Sequence, residues 1–490
     1  LSVANNSATQ TFVFKDAALA GASDSLILNL DGAGGIVNVG GETDADGDIE
    51  TLVINATGGA SDLAAGNGFG ADATSITVNA SVALDLGSTA QFAKVTTFDA
   101  SASSGAVTVV FADRAAASET AVAWTGGSAA DNFDVSAMTV ANFGDVTVSM
   151  GAGADTLNVG AVQDTDTGSS YDGGAGEDTL HVASTPMTAA FAANVTNFEV
   201  LDFLTSGTDS QDMDLTAGMN IVSVKDAGAG TDDLNLTDAA TGLEVRLTHA
   251  DLAGVSTNAD DLDILNIDLK ADTASDTVTV KIGGTGGNMQ LGNFEPDARY
   301  ETVTVVSTGS SANTIASIDT AVNNMIFSGA GALTITTTNA LTGVADFSAM
   351  TGVATVTTGT AALSVIGGAG DDDLTSGVVA SATQVISGGA GDDTITAGII
   401  TTAGVLTISG NAGSDTITVA AMTGAITASS ATINGGTGVD FITLDANAGN
   451  VVDVISTATT VADADEITGF TSGTESTDDD FDYNGTVLND

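Results

Sequence analysis

The sequence predicts an all-β protein that winds into a parallel β-solenoid, a β-roll-like stack with coils of 21–25 residues. Three observations support this prediction. Short β-branched runs, such as residues 277–281 and 333–336, alternate apolar residues with Thr or other polar residues at period 2. Clusters of Gly, Asp, Asn and Ser separate these runs, which is typical of turns. A nine-residue glycine-rich frame also recurs along the chain at a nearly regular interval.

The recurring frame reads Gly-Gly-x-Gly-x-Asp-x-apolar-x. Its main block has copies beginning at residues 367, 388, 410 and 435, so that the starts are 21, 22 and 25 residues apart. An earlier block begins at 126, 150 and 173, with starts 24 and 23 residues apart, and an isolated copy begins at 227. This period is that of one coil of a parallel β-solenoid. Stacking is expected to place the same turn of every coil in one column, with about 4.8 Å between coils.

The spacing of the repeats divides the chain into five predicted segments. These are a β-rich N-terminal segment at 1–115, a first repeat block at 116–185, a degenerate solenoid segment at 186–345, the main repeat block at 346–450 and a closing segment at 451–490. Two frames in the third segment, beginning at 283 and 329, keep glycines but have lost the acid.

Composition excludes several classes of protein. The 490 residues include 63 Asp and Glu but only 8 Lys and Arg, a formal charge of −55, which excludes nucleic-acid binding and disfavours anionic membranes. Cysteine is absent and only two histidines occur, His181 and His249, so neither disulfides nor a histidine-based zinc site is expected. The chain is nevertheless 43% hydrophobic, unlike a disordered acidic chain. It contains no apolar stretch long enough for a transmembrane helix, so no membrane insertion is expected.

The nonapeptides resemble the calcium-binding RTX repeat. Glycine allows positive φ, which lets backbone carbonyls turn toward an ion, and calcium takes six to eight hard oxygen ligands. The resemblance implies several Ca²⁺ ions held by the sixth-position aspartates, which are Asp131, Asp155, Asp178, Asp232, Asp372, Asp393, Asp415 and Asp440. It also implies calcium-binding turns built on Gly173, Gly176, Gly367, Gly370, Gly388, Gly391, Gly410, Gly413, Gly435 and Gly438.

Two points qualify this resemblance. The RTX family carries two nonapeptides per coil, whereas one copy per coil occurs here, so a single column of ions is expected. Glycine turns that simply close the coils are the structural alternative, but they leave the return of Asp at one fixed position unexplained.

A separate acidic cluster, Asp44, Asp46 and Asp48, has the alternate-oxygen spacing of a calcium loop without the full EF-hand pattern. That cluster is either a further calcium site or a solvated turn.

Other segments resemble RTX-type surface-layer (S-layer) proteins of Gram-negative bacteria. The strand-opening phrases at 49–55, 197–203 and 300–305 look like theirs, and 463–473 resembles the segment after the last repeat in type I-secreted proteins. The resemblance implies secretion, an extracellular location at the cell surface, and self-assembly into a two-dimensional lattice. Homo-oligomer contacts would be calcium-bridged, and cell-surface polysaccharide is an expected partner through a region outside this sequence.

Three functions fit the sequence, and we expect the first. A structural surface-layer protein predicts ordered arrays in calcium. A secreted RTX adhesin or surface fibre predicts a ligand and extended monomers, and an RTX carrier portion of a type I-secreted enzyme predicts an adjoining catalytic domain. We predict no enzymatic activity and no catalytic residues, because the His-Glu-x-x-His and Walker patterns are absent. Carboxylate pairs are abundant, so a glycosidase pair stays open as an alternative, although only 4% of residues are aromatic and few could stack on a sugar.

Overall fold

A computed structural model describes most of the chain. The described residues are 1–5, 8–15, 23–41, 49–63, 72–87, 92–113, 120–139, 144–160, 167–183, 186–205, 208–216, 218–226, 233–248, 262–284, 289–338, 341, 343–359, 364–377, 379–380, 383–398, 400–401, 405–419, 430–444, 451–456, 465–469 and 480–483.

The fold is a parallel β-solenoid, which confirms the predicted class. Strands make up 57% of the structure and helices 2%, and about 14 coils stack at intervals of roughly 24 residues. The chain forms two compact units, described separately below. Unit 1 comprises Leu1–Leu204 and Asp212–Val222, and unit 2 comprises Thr205–Gln211 and Ser223–Asp490.

The elements follow one another in the order β1 (Ser2–Ala4), β2 (Gln10–Phe14), β3 (Ser25–Asp31), β4 (Val37–Gly41), β5 (Thr51–Ala56), β6 (Ser61–Asp62), β7 (Ser75–Ala80), β8 (Leu84–Asp85), β9 (Thr97–Asp99), β10 (Val107–Val110), β11 (Val122–Thr125), β12 (Asn132–Asp134), β13 (Val146–Ser149), β14 (Thr156–Gly160), β15 (Ser170–Asp172), β16 (Thr179–Val182), α1 (Ala189–Ala192), β17 (Val195–Thr196) and β18 (Val200–Thr205). The order continues with β19 (Thr208–Asp212), a 3₁₀ turn (Met213–Leu215), β20 (Ile221–Asp226), β21 (Asp233–Ala239), β22 (Leu243–Leu247), β23 (Leu262–Leu269), β24 (Thr277–Ile282), β25 (Gln290–Pro296), β26 (Thr302–Ser307), β27 (Asn313–Ile318), β28 (Asn324–Gly329), β29 (Leu333–Thr338) and β30 (Val344–Met350). It ends with β31 (Ala354–Thr358), β32 (Ser364–Ile366), β33 (Asp373–Thr375), β34 (Val379–Ala380), β35 (Thr383–Ala390), β36 (Thr394–Ala397), β37 (Ile400–Thr401), β38 (Val405–Ala412), β39 (Thr416–Val419), β40 (Ser430–Thr437), β41 (Phe441–Leu444), β42 (Val451–Ser456), β43 (Glu466–Thr468) and β44 (Asp480–Tyr483).

Strand alternation explains why these runs form coils. In β7, Ile76, Val78 and Ala80 are buried and the residues between them are partly exposed, as period-2 alternation requires. Each strand pairs in parallel with the equivalent strand of the next coil, so that Leu157 lies opposite Leu180. A one-residue slip would turn every apolar side chain outward, and burial therefore fixes the register.

In unit 1, two sheets enclose the core. One runs β1-β3-β5-β7-β9-β11-β13-β15-β17, and the other includes β6-β8-β10-β12-β14-β16-β18. Four aromatic side chains fill the middle coils: Trp124 stacks on Phe111 with ring centroids 4.1 Å apart, while Phe98 and Phe133 meet edge to face at 5.5 Å. Most other core side chains are aliphatic, and further buried aromatic rings lie at Phe92, Tyr171, Phe191, Phe198 and Phe203.

In unit 2, the same arrangement uses different strands. One sheet includes β22-β24-β26-β28-β30-β32-β35-β38-β40-β42-β44, and the other includes β21-β23-β25-β27-β29-β31-β33-β36-β39-β41-β43. Buried isoleucines stack in register along the second sheet, with Ile395, Ile417 and Ile442 opposite one another. The repeats of the main block span both sheets, because the first glycines of the last three copies lie in β35, β38 and β40 of the first sheet and their apolar residues lie in β36, β39 and β41 of the second.

Candidate functional site: two buried aspartate ladders

The sixth-position aspartates of the first block form a ladder at the start of successive strands of unit 1. Asp131, Asp155 and Asp178 immediately precede β12, β14 and β16, and each is 0–1% exposed. In each case Oδ1 accepts a hydrogen bond from a backbone N–H one coil earlier. The donors are Val107 N at 2.7 Å, Asp131 N at 2.6 Å and Asp155 N at 2.8 Å.

The main block builds the same ladder in unit 2. Asp372, Asp393, Asp415 and Asp440 precede β33, β36, β39 and β41 and are also 0–1% exposed. Their Oδ1 atoms accept from Ala354 N at 2.7 Å, Asp372 N at 2.8 Å, Asp393 N at 2.9 Å and Asp415 N at 2.9 Å. Each aspartate thus links its own coil to the preceding one through a charge-assisted hydrogen bond.

The second carboxylate oxygen, Oδ2, has a hydrogen-bond partner in the first member of each ladder but not in the later members. Oδ2 of Asp131 accepts from Gly127 N at 2.6 Å, and Oδ2 of Asp372 accepts from Gly368 N at 2.7 Å. The Oδ2 atoms of the later members are buried and have no hydrogen-bond partner; these are Asp155, Asp178, Asp393, Asp415 and Asp440. A buried acceptor without a partner costs about 1–3 kcal/mol, and more when charged. Such an atom needs a proton or a cation.

Burial also shifts the acidity of the ladder. Desolvation raises the pKa of Asp155 and Asp393 from 3.8 to about 7, and that of Asp440 to about 6. Hydrogen bonds from the backbone oppose this shift, and neighbouring carboxylates reinforce it. Burial raises the pKa of the remaining members of the ladders as well: Asp131, Asp178, Asp372 and Asp415.

The first glycine of the frame is required by the carboxylate beside it. A Cβ atom on Gly388 would lie 2.3 Å from Oδ2 of Asp393, and one on Gly410 would lie 2.1 Å from Oδ2 of Asp415. A Cβ on Gly435 would likewise lie 2.1 Å from Oδ2 of Asp440, and one on Gly367 would lie 2.8 Å from Oδ2 of Asp372, whereas at Gly173 the close atom is Cβ of Asp178. At Gly388, Gly410 and Gly435 the unpartnered oxygen therefore lies directly against backbone that has no side chain.

The glycine at the fourth position of the frame allows the turns of successive coils to stack closely. Gly413 has φ +138°, and a Cβ there would lie 1.9 Å from the carbonyl oxygen of Gly391 in the preceding coil. Positive φ also occurs at Gly176, Gly391 and Gly438. At Gly370, in the first copy of the main block, a Cβ would lie 3.1 Å from the backbone of Gly352.

Glutamates in the strand-opening phrases extend this pattern, which the sequence analysis did not predict. Oε2 of Glu199 accepts from Asp178 N at 2.9 Å and so ends the ladder of unit 1. Glu50 accepts from Asp24 N at 2.7 Å in the same way. A third glutamate, Glu301, accepts from the backbone N–H of Asp276. The signal in the sequence was a Glu directly before a β-branched strand.

The ladders are suited to calcium by donor chemistry, because carboxylate and carbonyl oxygens are its preferred ligands. Each later coil offers one unpartnered carboxylate oxygen, so an ion there would take its other ligands from turn carbonyls. Within the described ranges, the single group of three carboxylates with ligand oxygens within 4.8 Å of one another is Asp272, Asp276 and Glu301, which is not part of either ladder.

Several predicted positions lie outside the described residues: Asp44, Asp46, Asp48 and Asp232, together with His249. His181 lies at the last position of the repeat that begins at 173, and its Nδ1 is 2.9 Å from Oδ2 of Asp202 in the next coil. None of the helices in the described ranges is both long and apolar enough to span a membrane.

Comparisons with protein-family models, with curated proteins and with solved structures found no match.

Proposed function

We propose that this chain is a calcium-stabilised structural protein of a bacterial surface layer, which self-assembles into a two-dimensional lattice. The observation that carries the proposal is the set of five buried Oδ2 atoms without hydrogen-bond partners in two ladders. Asp155 and Asp178 would hold calcium in unit 1, and Asp393, Asp415 and Asp440 would hold it in unit 2. The bound ions would neutralise stacked carboxylates that otherwise repel one another.

Electrostatics supports a cation over a proton as the normal occupant. The pKa values of Asp155 and Asp393 lie near 7, so at neutral pH only part of these carboxyl groups is protonated. Protonation alone therefore leaves some of the unpartnered oxygens charged. A divalent ion bound to an unpartnered Oδ2 would satisfy that oxygen and would also offset the self-repulsion of a chain with formal charge −55. Because the ion would bind only the stacked coils, it would stabilise the fold by mass action.

Burial also supports a structural role over a catalytic one. The ladder carboxylates are 0–1% exposed, so none of them can contact a substrate. The proposal that the chain is not an enzyme rests on this inaccessibility and on the absence of catalytic sequence motifs. Surface-layer assembly, secretion and the cell-surface location rest on the resemblance of the repeats and strand-opening phrases.

Calcium-dependent folding is the first test. Circular dichroism reports strand content, and fluorescence of Trp124, the only tryptophan and 2% exposed, reports the packing of unit 1. We expect an unfolded or loosened chain in chelator, recovery in millimolar calcium, and much weaker recovery in magnesium, which accepts irregular oxygen cages poorly. Full strand content and a native melting profile in chelator would reject calcium stabilisation.

Assembly is the second test. Light scattering and negative-stain imaging across a calcium titration should show sheets in calcium that disperse in chelator. A chain that folds in calcium but stays monomeric at high concentration would reject the surface-layer role and favour an adhesin.

A further inference from the structure

A column of threonines runs along the outer face of one sheet of unit 2. The strand register places one threonine of each coil directly opposite the next over six coils: Thr357, Thr375, Thr396, Thr418, Thr443 and Thr468. Their neighbours in the strands, such as Ile395 and Ile417, are fully buried, so the threonines project outward. Each threonine of the column is exposed or half-exposed.

This threonine column carries no charge over six coils of a chain with 63 acidic residues. The neighbouring outward column, two residues earlier in each strand, does contain acids, Asp373 and Glu466. Two copies of so acidic a chain repel each other across most surfaces, and like charges facing each other cost several kcal/mol. The threonine column therefore offers a second copy an approach that places no carboxylate against another.

An exposed aromatic side chain lies on the same face. Phe441 is 46% exposed and precedes Thr443 by two residues in β41, so both project from the same side of the sheet. Of the large hydrophobic side chains classed as exposed in the described part of the chain, it is the only aromatic one. Phe441 belongs to the neighbouring column that contains Asp373 and Glu466, and it lies next to the uncharged threonine column. An exposed large apolar group in this position indicates an interaction surface.

We propose that the threonine column and Phe441 form a contact surface for a second copy of this chain, related by a two-fold axis. The inference rests on the proposed self-assembly and names one surface that carries it. A two-fold contact requires a self-complementary surface. A column of one residue type meets this requirement in any register when it runs antiparallel to its copy, because each threonine hydroxyl both donates and accepts. Hydroxyl pairing already occurs within the column, where Thr468 Oγ1 donates to Thr443 Oγ1 at 3.3 Å.

A charge placed in the column tests the surface. Thr396→Asp puts a carboxylate in its middle, whereas Thr407→Asp puts one at a half-exposed threonine on the other sheet of the same block. Sedimentation velocity in calcium should show that Thr396→Asp raises the concentration for self-association at least about tenfold, since like charges in contact cost more than the 1.4 kcal/mol that tenfold represents. Thr407→Asp should associate like the unmodified protein.

Cysteine cross-linking keeps the test decisive if Thr396→Asp fails to fold. The chain has no cysteine, so single variants at Thr375, Thr396, Thr418 and Thr443 report only their own contacts. Oxidation in calcium should give a disulfide-linked dimer for the position nearest the two-fold axis and none for Thr407→Cys. No dimer at any of the four positions, or association of Thr396→Asp equal to that of unmodified protein, would overturn this inference and leave the proposed function intact. An unmodified chain that folds but never associates would overturn both.

Discussion

Replacing Asp393 by Asn should change stability in opposite directions with and without calcium. Asp393 is 1% exposed, and its Oδ1 accepts from Asp372 N at 2.8 Å while its Oδ2 has no partner. Asn keeps the shape and the Oδ1 acceptor but removes the charge. In chelator above neutral pH we expect Asp393→Asn to be more stable than the unmodified protein, and in calcium to be less stable.

The magnitude follows from the acidity of this buried group. Its folded-state pKa is raised by burial from 3.8 to about 7, so the carboxyl stabilises the fold fully below pH 3.8 and loses that contribution as the pH rises toward 7. The difference between the two values corresponds to about 4 kcal/mol. The amide Nδ2 of Asn would itself lack a partner at this position, which costs about 1–3 kcal/mol. The expected net gain in chelator at pH 8 is therefore about 1–3 kcal/mol.

Denaturant unfolding at pH 8 measures how Asp393→Asn changes the free energy of unfolding, once in chelator and once in millimolar calcium. Asp392→Asn is the matched control, because Asp392 is the exposed neighbour and accepts from Ser414 N at the surface. It should change the free energy of unfolding little in either condition. If Asp393→Asn were destabilised equally in chelator and in calcium, the reasoning that its Oδ2 needs a cation would be refuted.

Three further results are expected. In chelator, the melting temperature should fall as the pH rises from about 5 to 8, because the raised pKa of carboxyls such as Asp155 makes their protonated form the stable one in the fold. Calcium should abolish this fall. A melting temperature that does not change with pH in chelator would contradict the prediction. Glu199→Ala should cost about 1–3 kcal/mol of unfolding free energy by leaving Asp178 N without its acceptor, whereas Glu199→Gln should largely restore it. Gly413→Ala should cost at least about 1–3 kcal/mol, since its Cβ would collide with the Gly391 carbonyl, and denaturant unfolding without such a loss would show that the turns are not stacked this closely.

The repeat frame alone predicted the positions of the two ladders. The turn glycines, the acid and the following apolar residue are local features, and their return every 21–25 residues required stacked coils. The similar links at Asp24 and Asp276 were not predicted, because neither residue belongs to a glycine frame. Both directly precede a strand, and the backbone N–H of each donates to a glutamate of the next coil.

The sequence by itself determined the all-β class, the coil length and the column of aspartates, because alternation and repetition are properties of short segments. Only the tertiary structure decided which atoms meet. The Asp372 carboxylate accepts from the backbone N–H of a residue 18 positions earlier, whereas the backbone N–H of Asp415 donates to a carboxylate 25 positions later. The length of the coils therefore varies while the ladder stays in register. Pairing between strands fixes that register by burying the apolar face as a whole, and it creates both the unpartnered Oδ2 atoms and the outer threonine column. Neither follows from any one coil, since each is a relation between coils about 24 residues apart.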